Sequence, residues 1–179
     1  TLPSLYTTTS GCCKLRLSGS RPYNRAMLTG TRIVFIGGGN MAEALLAGLL
    51  RKGMAAAEHL TVSDPDGHRR ELLAERFGVA VHADNRTAAQ GADLVVFCVE
   101  PQVLDAVLDE VASSLQSRPL AMSVAAGYPI SRLQAHLKTA TRVVRAMPNT
   151  PSTIGEGVTA VSLAPRLSAE DQDRTRCLF

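Results

Sequence analysis

One stretch constrains the fold of this chain more than any other, because Arg32–Leu45 has the pattern of a strand, a glycine turn and a helix. Ile33–Ile36 is a short apolar run of β-branched and aromatic residues, which favours a buried parallel strand. Gly37, Gly39 and Ala42 then match the spacing G-x-G-x-x-[GA] of dinucleotide-binding turns. The first glycine permits the tight turn, the second lets a pyrophosphate approach the backbone, and the alanine allows the helix to pack closely on the strand.

The predicted helix is amphipathic, which makes this turn more informative than an isolated glycine motif. Its apolar residues recur on one face, at i, i+3, i+4 and i+7, and are Ala42, Leu45, Leu46 and Leu49. Free N–H groups and the positive end of the helix dipole favour phosphate at a helix start. We therefore predict a cofactor site at Gly37–Met41; the alternative is a glycine turn that binds nothing.

Strand-like and helix-like segments alternate along the rest of the chain. This pattern predicts an α/β fold, with a Rossmann-like, doubly wound, mostly parallel sheet and helices on both faces. The further predicted strands are Leu60–Ser63, Val79–Val81, Leu94–Val99, Leu120–Val124, Arg142–Met147 and Val158–Leu163. The further predicted helices begin after Asp64–Asp66, with Pro65 near the first helical position, at Asn85, at Pro101, at Pro129 and at Ser168.

Ligands of doubly wound sheets bind over the carboxyl ends of the strands. Five interruptions rich in Gly, Pro or polar residues follow predicted strands at that edge: Gly37–Met41, Ser63-Asp64, Val99–Pro101, Ala125–Gly127 and Met147–Pro151. Any turn needs such residues. Their convergence on one edge nevertheless favours a ligand site.

The choice between NADH and NADPH depends on the residues after the second predicted strand. Asp64 lies 25 residues after Gly39, where a carboxylate accepts from the 2′-hydroxyl of NADH and repels a 2′-phosphate. Asp64 could equally cap the following helix. Ser63, Arg69 and Arg70 could instead bind a 2′-phosphate, so the sequence leaves the choice open.

Composition argues against several other functions. The chain is 45% hydrophobic and 20% charged, and no apolar run reaches the ~18 residues of a membrane helix, so no membrane partner is expected. Of the net charge of +3, residues 1–29 contribute +4, which leaves the remainder nearly neutral and gives no indication of nucleic acid binding. The four cysteines and four histidines fit neither a disulfide framework nor a metal site. We expect no metal and a reducing, cytoplasmic compartment.

The chain divides into three predicted parts. Residues 1–30 are basic, rich in Ser and Thr, and not periodic, and are interpreted as a disordered leader; an organelle-targeting peptide or upstream sequence before Met27 are alternatives. Residues 31–164 are predicted to form the NAD(P)-binding domain. Residues 165–179, with Ser168 and Asp171 as a capping box, are predicted to start a connecting helix toward a C-terminal substrate and dimerisation domain that this chain does not contain.

Four motifs resemble the N-terminal half of the pyrroline-5-carboxylate reductase family. They are Phe35–Ala42, Val99–Gln102, Ser123–Gly127 and Arg142–Pro151, and the similarity covers about residues 31–179. The resemblance implies reduction of the small-molecule substrate 1-pyrroline-5-carboxylate to L-proline with NADPH or NADH, the last step of proline biosynthesis.

The resemblance also implies where the cofactor and substrate bind, but it assigns no catalytic residue. Different segments of the chain are implied to bind the pyrophosphate, to contact the adenosine ribose and to line the path to the nicotinamide ribose. The implied cofactor-binding residues are Ile36, Gly37, Gly38, Gly39, Asn40, Met41, Ser63, Asp64, Asn85, Cys98, Val99, Glu100, Pro101, Val124, Ala125 and Ala126, with Met147, Asn149 and Thr150 on the substrate and nicotinamide side.

Two departures from the family pattern matter. Glu100 stands where the family usually has Lys, which reverses a charge beside the cofactor. The helical domain that binds the substrate carboxylate and builds the dimer is missing, so we expect the 179-residue chain alone to be nearly inactive and only the full-length protein to be a homo-oligomer. The alternatives are a dinucleotide-binding module without turnover, or an oxidoreductase similar to β-hydroxyacid dehydrogenases, whose catalytic Lys belongs to a second domain of its own.

Overall fold

The computed structural model describes residues 7–9, 12–16, 27–137, 142–148, 159–165 and 167–179, and nine strands in these ranges join in one sheet. The strands are β1 (Thr7–Thr9), β2 (Cys12–Arg16), β3 (Ile33–Ile36), β4 (Leu60–Ser63), β5 (Ala80–His82), β6 (Leu94–Phe97), β7 (Leu120–Ser123), β8 (Val143–Pro148) and β9 (Thr159–Leu163). The helices are α1 (Asn40–Arg51), α2 (Gly67–Phe77), α3 (Asn85–Ala89), α4 (Pro101–Val111), α5 (Ile130–His136) and α6 (Ala169–Leu178).

The centre of the sheet is parallel and doubly wound. β3 lies between β4 and β6, so that Ile33 is opposite Leu60 on one side and Leu94 on the other. The parallel strands follow the order β5-β4-β3-β6-β7-β8. Successive strands are added on one side of β3 as far as β5 and then on its other side from β6, and such folds bind their ligands where the strand order reverses in this way. The predicted fold class is confirmed.

Helices cover both faces of this sheet, which explains why β3 and β6 contain only apolar residues. Alternate residues of β3 point to opposite cores: Ile33 and Phe35 join the core that includes α1, α2 and α6, while Val34 and Ile36 join the core that includes α3, α4 and α5. The predicted apolar face of α1 is buried in the first core.

The β8 edge of the sheet differs from the sequence prediction. β9 runs antiparallel to β8, and β2 runs antiparallel to β9, with β1 outermost. The prediction that residues 1–30 are disordered is therefore wrong for residues 7–9 and 12–16. The edge of β9 would otherwise leave a row of unpaired N–H and C=O groups, and backbone pairing there needs no apolar periodicity in the added strand.

Helix ends follow their capping residues. α2 begins at Gly67, after the N-cap Asp66, whose carboxylate accepts from the His68 amide at 3.0 Å. Pro65 lies two residues before this first helical residue. The predicted capping of α6 is confirmed, since Ser168 Oγ accepts from the Asp171 amide at 3.0 Å. No helix in the described ranges has the length and apolarity needed to span a membrane.

A buried ion pair fastens α6 to the sheet. Asp171 is 2% exposed, and Arg142 Nε, directly before β8, donates to its Oδ2 at 3.0 Å. Burial alone would raise the pKa of Asp171, but hydrogen bonds from Arg142 and Ser168 outweigh it and hold the pKa below its ordinary value. Cys177 and Leu178 at the end of α6 are buried in the first core.

Candidate functional site

The three consecutive glycines between β3 and α1 lie at the switch point of the sheet. Gly37 donates to the Ser63 carbonyl at 2.8 Å, while the preceding Ile36 carbonyl accepts from the Cys98 amide at 2.7 Å. Gly37 has φ +94°, and a Cβ there would lie 2.9 Å from Val99 Cγ1 and 3.0 Å from the Cys98 carbonyl. The loop after β6 therefore excludes any side chain at position 37.

The middle glycine has a packing role that the fingerprint does not assign. A Cβ at Gly38 would lie 2.9 Å from Leu73 Cδ1 and 3.3 Å from Asp64 Cβ. The Gly38 amide donates to Asp64 Oδ2 at 2.7 Å, and its carbonyl accepts from Arg69 Nε. Side chains from β4–α2 thus bind both ends of the Gly38 residue.

Gly39 differs from its two neighbours. It is exposed, and a Cβ there would meet no described protein atom within 4 Å. It is the N-cap of α1, and as a glycine it brings no capping side chain to the helix start. The described protein atoms do not require a glycine here, whereas a ligand that approaches the helix N-terminus would.

The Asp64 carboxylate contacts both the glycine loop and the backbone of the N-cap residue of α2. Its Oδ2 binds Gly38, and its Oδ1 accepts from the Asp66 amide at 2.9 Å. The N-cap of α2 is Asp66, so the alternative that Asp64 caps this helix is wrong. Each Asp64 oxygen retains a lone pair for a further donor.

The two arginines of α2 that were candidates for a 2′-phosphate are engaged with the protein. Arg69 binds the Gly38 carbonyl and Glu43. Arg70 Nη1 donates to the carbonyls of Asp64 and Pro65, at 2.7 and 2.8 Å.

Ser63 and Asn85 lie together, but their polar groups bind each other. The fully buried Ser63 hydroxyl donates to Asn85 Oδ1. Asn85 Nδ2 donates to Glu110 Oε2 at 2.9 Å. This chain of hydrogen bonds joins the end of β4, the start of α3 and the end of α4.

The segment after β6 turns from the sheet into α4. Glu100 is the exposed N-cap of α4 and makes no side-chain cap bond, and Pro101 is the first helical residue. Burial raises the pKa of the Cys98 thiol to about 12. This direction favours the neutral thiol over the nucleophilic thiolate.

The segment after β7 lies beside that turn. The Val124 amide donates to the Phe97 carbonyl at 3.2 Å, and the Ala125 amide donates to Ser123 Oγ at 3.2 Å. Ala125 is buried, whereas Ala126 is exposed. The structure thus brings the predicted segments Cys98–Pro101 and Val124–Ala126 next to each other.

The last predicted segment is only partly described. Met147, near the end of β8, is 46% exposed, and its Sδ lies 3.5 Å from the Arg145 Nη2 that donates to it. Asn149 and Thr150 lie outside the described residues.

A charged network between α4 and α5, the helices that follow β6 and β7, was not predicted. Asp105 on α4 accepts from the buried Tyr128 hydroxyl and pairs with Arg132, and His136 contacts Asp105 and Asp109 at 3.2 and 2.7 Å. The Tyr128 hydrogen bond is the main cause that lowers the pKa of Asp105, while burial and Asp105 together raise the pKa of Tyr128.

A sequence signal for this network was available. Two acidic residues stand four apart on α4, and two basic residues stand four apart on α5, so each pair lies on one helical face.

Comparisons with known proteins agree with this architecture. A family model described as "NADP oxidoreductase coenzyme F420-dependent" matches residues 32–127. A pyrroline-5-carboxylate reductase from Synechocystis sp. is 38% identical over 80% of this chain and 53% of its own length, and one from Pseudomonas aeruginosa is 40% identical over 77% and 50%. A solved pyrroline-5-carboxylate reductase from Coxiella burnetii is 31% identical, with a TM-score of 0.78, over 83% of this chain and 56% of that one.

The chain spans about half the length of the curated relatives that it matches. Because the family model matches more than half of the chain, the chain belongs to the NADP oxidoreductase family that the model describes.

Proposed function

We propose that the chain binds NADPH or NADH over the carboxyl edge of the sheet, with the diphosphate at the N-terminus of α1. The contrast among the three glycines carries this proposal. Protein atoms exclude a side chain at Gly37 and Gly38, but only an outside group would exclude one at Gly39. The uncapped helix start supplies N–H donors and a positive dipole end for that group.

The remaining contacts of the cofactor follow the edge of the sheet. We propose that Asp64 lies beside the adenosine ribose, with Ser63 and Asn85 supporting that region from behind. The two adjacent loops after β6 and β7 would line the path to the nicotinamide ribose. The proposed cofactor-binding set is Ile36, Gly37, Gly38, Gly39, Asn40, Met41, Ser63, Asp64, Asn85, Cys98, Val99, Glu100, Pro101, Val124, Ala125 and Ala126.

We further propose that the whole protein is a pyrroline-5-carboxylate reductase. Hydride would pass from the reduced nicotinamide to the ring carbon of the C=N bond, and a proton to the ring nitrogen, to give L-proline and oxidised cofactor. The 38–40% identity to two such reductases supports this reaction. Met147, Asn149 and Thr150 would face the substrate. A homo-oligomer and a cytoplasmic location belong to the same proposal; the free thiol of Cys98 agrees with a reducing compartment.

A matched pair of glycine variants tests cofactor binding. Gly39→Ala and Gly48→Ala each add one methyl group where the described protein atoms leave space, but Gly48 lies in the third turn of α1, away from the loop. We expect Gly39→Ala to weaken NADPH and NADH binding by at least about tenfold, about 1.4 kcal/mol, and Gly48→Ala to leave both affinities unchanged. Isothermal titration calorimetry measures both.

Thermal unfolding distinguishes loss of the site from loss of the fold. Gly39→Ala should change the midpoint little, while Gly48→Ala should raise it, because alanine favours a helix interior over glycine by about 1 kcal/mol. Equal cofactor affinity for the wild type and Gly39→Ala would contradict the proposed site. Proline formation by the full-length protein tests the reaction itself.

A further inference from the structure

The Gly38 residue is bound from both sides by two residues of β4–α2. Asp64 Oδ2 accepts from its amide at 2.7 Å, and Arg69 Nε donates to its carbonyl. Both contacts are charge-assisted, which makes them stronger than hydrogen bonds between neutral groups. They span 26 and 31 residues of sequence, so they fasten the loop to a separate element rather than to its own neighbours.

Glu43 holds Arg69 in place. Its Oε2 pairs with Arg69, while its Oε1 pairs with Arg76. The side chains of Arg69 and Glu43 are each 21% exposed, whereas Arg76 is 58% exposed. Arg69 therefore bridges the first turn of α1 and the glycine loop from a site that is partly shielded from solvent.

The two contacts fix the orientation of the peptide groups on either side of Gly38, immediately before the N-terminus of α1. With the amide and the carbonyl of Gly38 both bound to side chains, rotation of the peptide groups on either side of this residue would break a charge-assisted hydrogen bond. The following residue, Gly39, is thereby held as an N-cap without a capping side chain. The free N–H groups of the helix start remain available to a ligand.

We infer that Asp64 and Arg69 are positioning residues that hold the Gly38 backbone in the orientation required for binding a dinucleotide diphosphate. This inference rests on the proposed function. The diphosphate is common to NADPH and NADH, so loss of the Arg69 contact weakens both cofactors by the same factor. A direct contact of Arg69 with the 2′-phosphate would instead weaken NADPH alone.

The test compares Arg69→Met with Arg76→Met. Both variants remove a guanidinium that pairs with Glu43, but only the first removes the donor to the Gly38 carbonyl. We expect Arg69→Met to weaken NADPH and NADH by about tenfold each, with an unchanged ratio of the two dissociation constants, and Arg76→Met to change neither. Arg69→Lys, which retains one donor, should restore part of the loss.

A second measurement does not depend on any ligand. Hydrogen exchange followed by NMR reports on the Gly38 amide, and we expect it to exchange at least tenfold faster in Arg69→Met than in Arg76→Met. If Arg69→Met is poorly folded, the same exchange and affinity measurements on Arg69→Lys, which should lie between the wild type and complete loss of the contact, keep the inference testable.

Three results would overturn the inference. One is a loss confined to NADPH, and another is unchanged affinity for both cofactors in Arg69→Met. The third is an equal loss in Arg76→Met, which would show that the charge of Glu43 alone matters. If the wild type binds neither cofactor while Arg69→Met still speeds exchange at Gly38, the proposed function fails, and with it the positioning role, although the contact itself is real.

Discussion

The two halves of the sheet support their ligand-facing loops in different ways. In the first half, which comprises β3, α1, β4 and α2, charged side chains bind the backbone of the loop itself: Asp64 and Arg69 bind Gly38. In the second half, which comprises β6, α4, β7 and α5, charged side chains bind one another behind the loops, as Asp105 and Arg132 do. The loops there are held by backbone hydrogen bonds to strand ends, such as that from Val124 to Phe97.

This difference separates two effects of charge substitution. In the first half, loss of a side-chain group that binds Gly38 releases part of the glycine loop, so cofactor affinity should change. In the second half, it loosens the contact between α4 and α5, so stability should change first. The following predictions test this division.

The largest effect is expected at Gly37, where the two halves meet. Gly37→Ala would place a methyl group 2.9 Å from Val99 Cγ1, with the backbone at φ +94°. We expect it to lower the free energy of unfolding by about 2–5 kcal/mol, which combines the cost of a left-handed residue with that of overpacking. Urea unfolding measures the change.

Gly53→Ala is the matched control, since Gly53 also has positive φ but its Cβ would meet no described atom within 4 Å. It should cost only about 1–2 kcal/mol. Equal losses in both variants would show that the contact between the halves adds nothing to the backbone strain.

A smaller effect is expected for the cofactor preference at Asp64. Asp64→Asn removes the charge but leaves an amide oxygen that can still accept from the Gly38 amide. NADPH affinity should therefore rise relative to NADH, by about tenfold or less, with little loss of NADH binding. Paired calorimetric titrations with the two cofactors measure the ratio.

Asp66→Asn provides the control, because it removes a charge two residues away and keeps an equally good N-cap. A ratio that shifts equally in both variants would indicate a general charge effect. A loss of both cofactors in Asp64→Asn would indicate that the charge itself is needed to hold Gly38.

The sequence predicted those features that depend on local pattern. The apolar runs identified the central strands, and the glycine spacing identified the turn at the switch point. It did not reveal the binding of Gly38 by Asp64 and Arg69, because those contacts join residues more than 25 positions apart and depend on side-chain direction.

The strand Cys12–Arg16 was missed for a different reason. Antiparallel pairing with β9 uses backbone groups, and backbone groups leave no compositional signal. The fourfold spacing of Asp105 with Asp109, opposite Arg132 with His136, was visible in the sequence, but it indicates a contact only once α4 and α5 are known to be neighbours.

The smallest effect is expected from acid titration of the second half. The hydrogen bond from Tyr128, together with Arg132, holds the pKa of Asp105 below its ordinary value of 3.8. Because the folded-state pKa is the lower one, the stabilisation from Asp105 is fully present above about pH 4 and is lost as the pH falls through the folded-state pKa.

The variant Asp105→Asn tests this, because Asn resembles the protonated acid. The unfolding midpoints of the wild type and Asp105→Asn should differ at pH 6 and converge toward pH 2. Cofactor affinity at neutral pH should be nearly equal in both. Urea unfolding between pH 2 and 6 measures this, with Asp109→Asn as the control, because Asp109 is more exposed and pairs with His136. A gap that stays constant down to pH 2 would show that the Asp105 charge does not stabilise the contact between α4 and α5, and a large loss of cofactor affinity would show that this network also positions the ligand-facing loops.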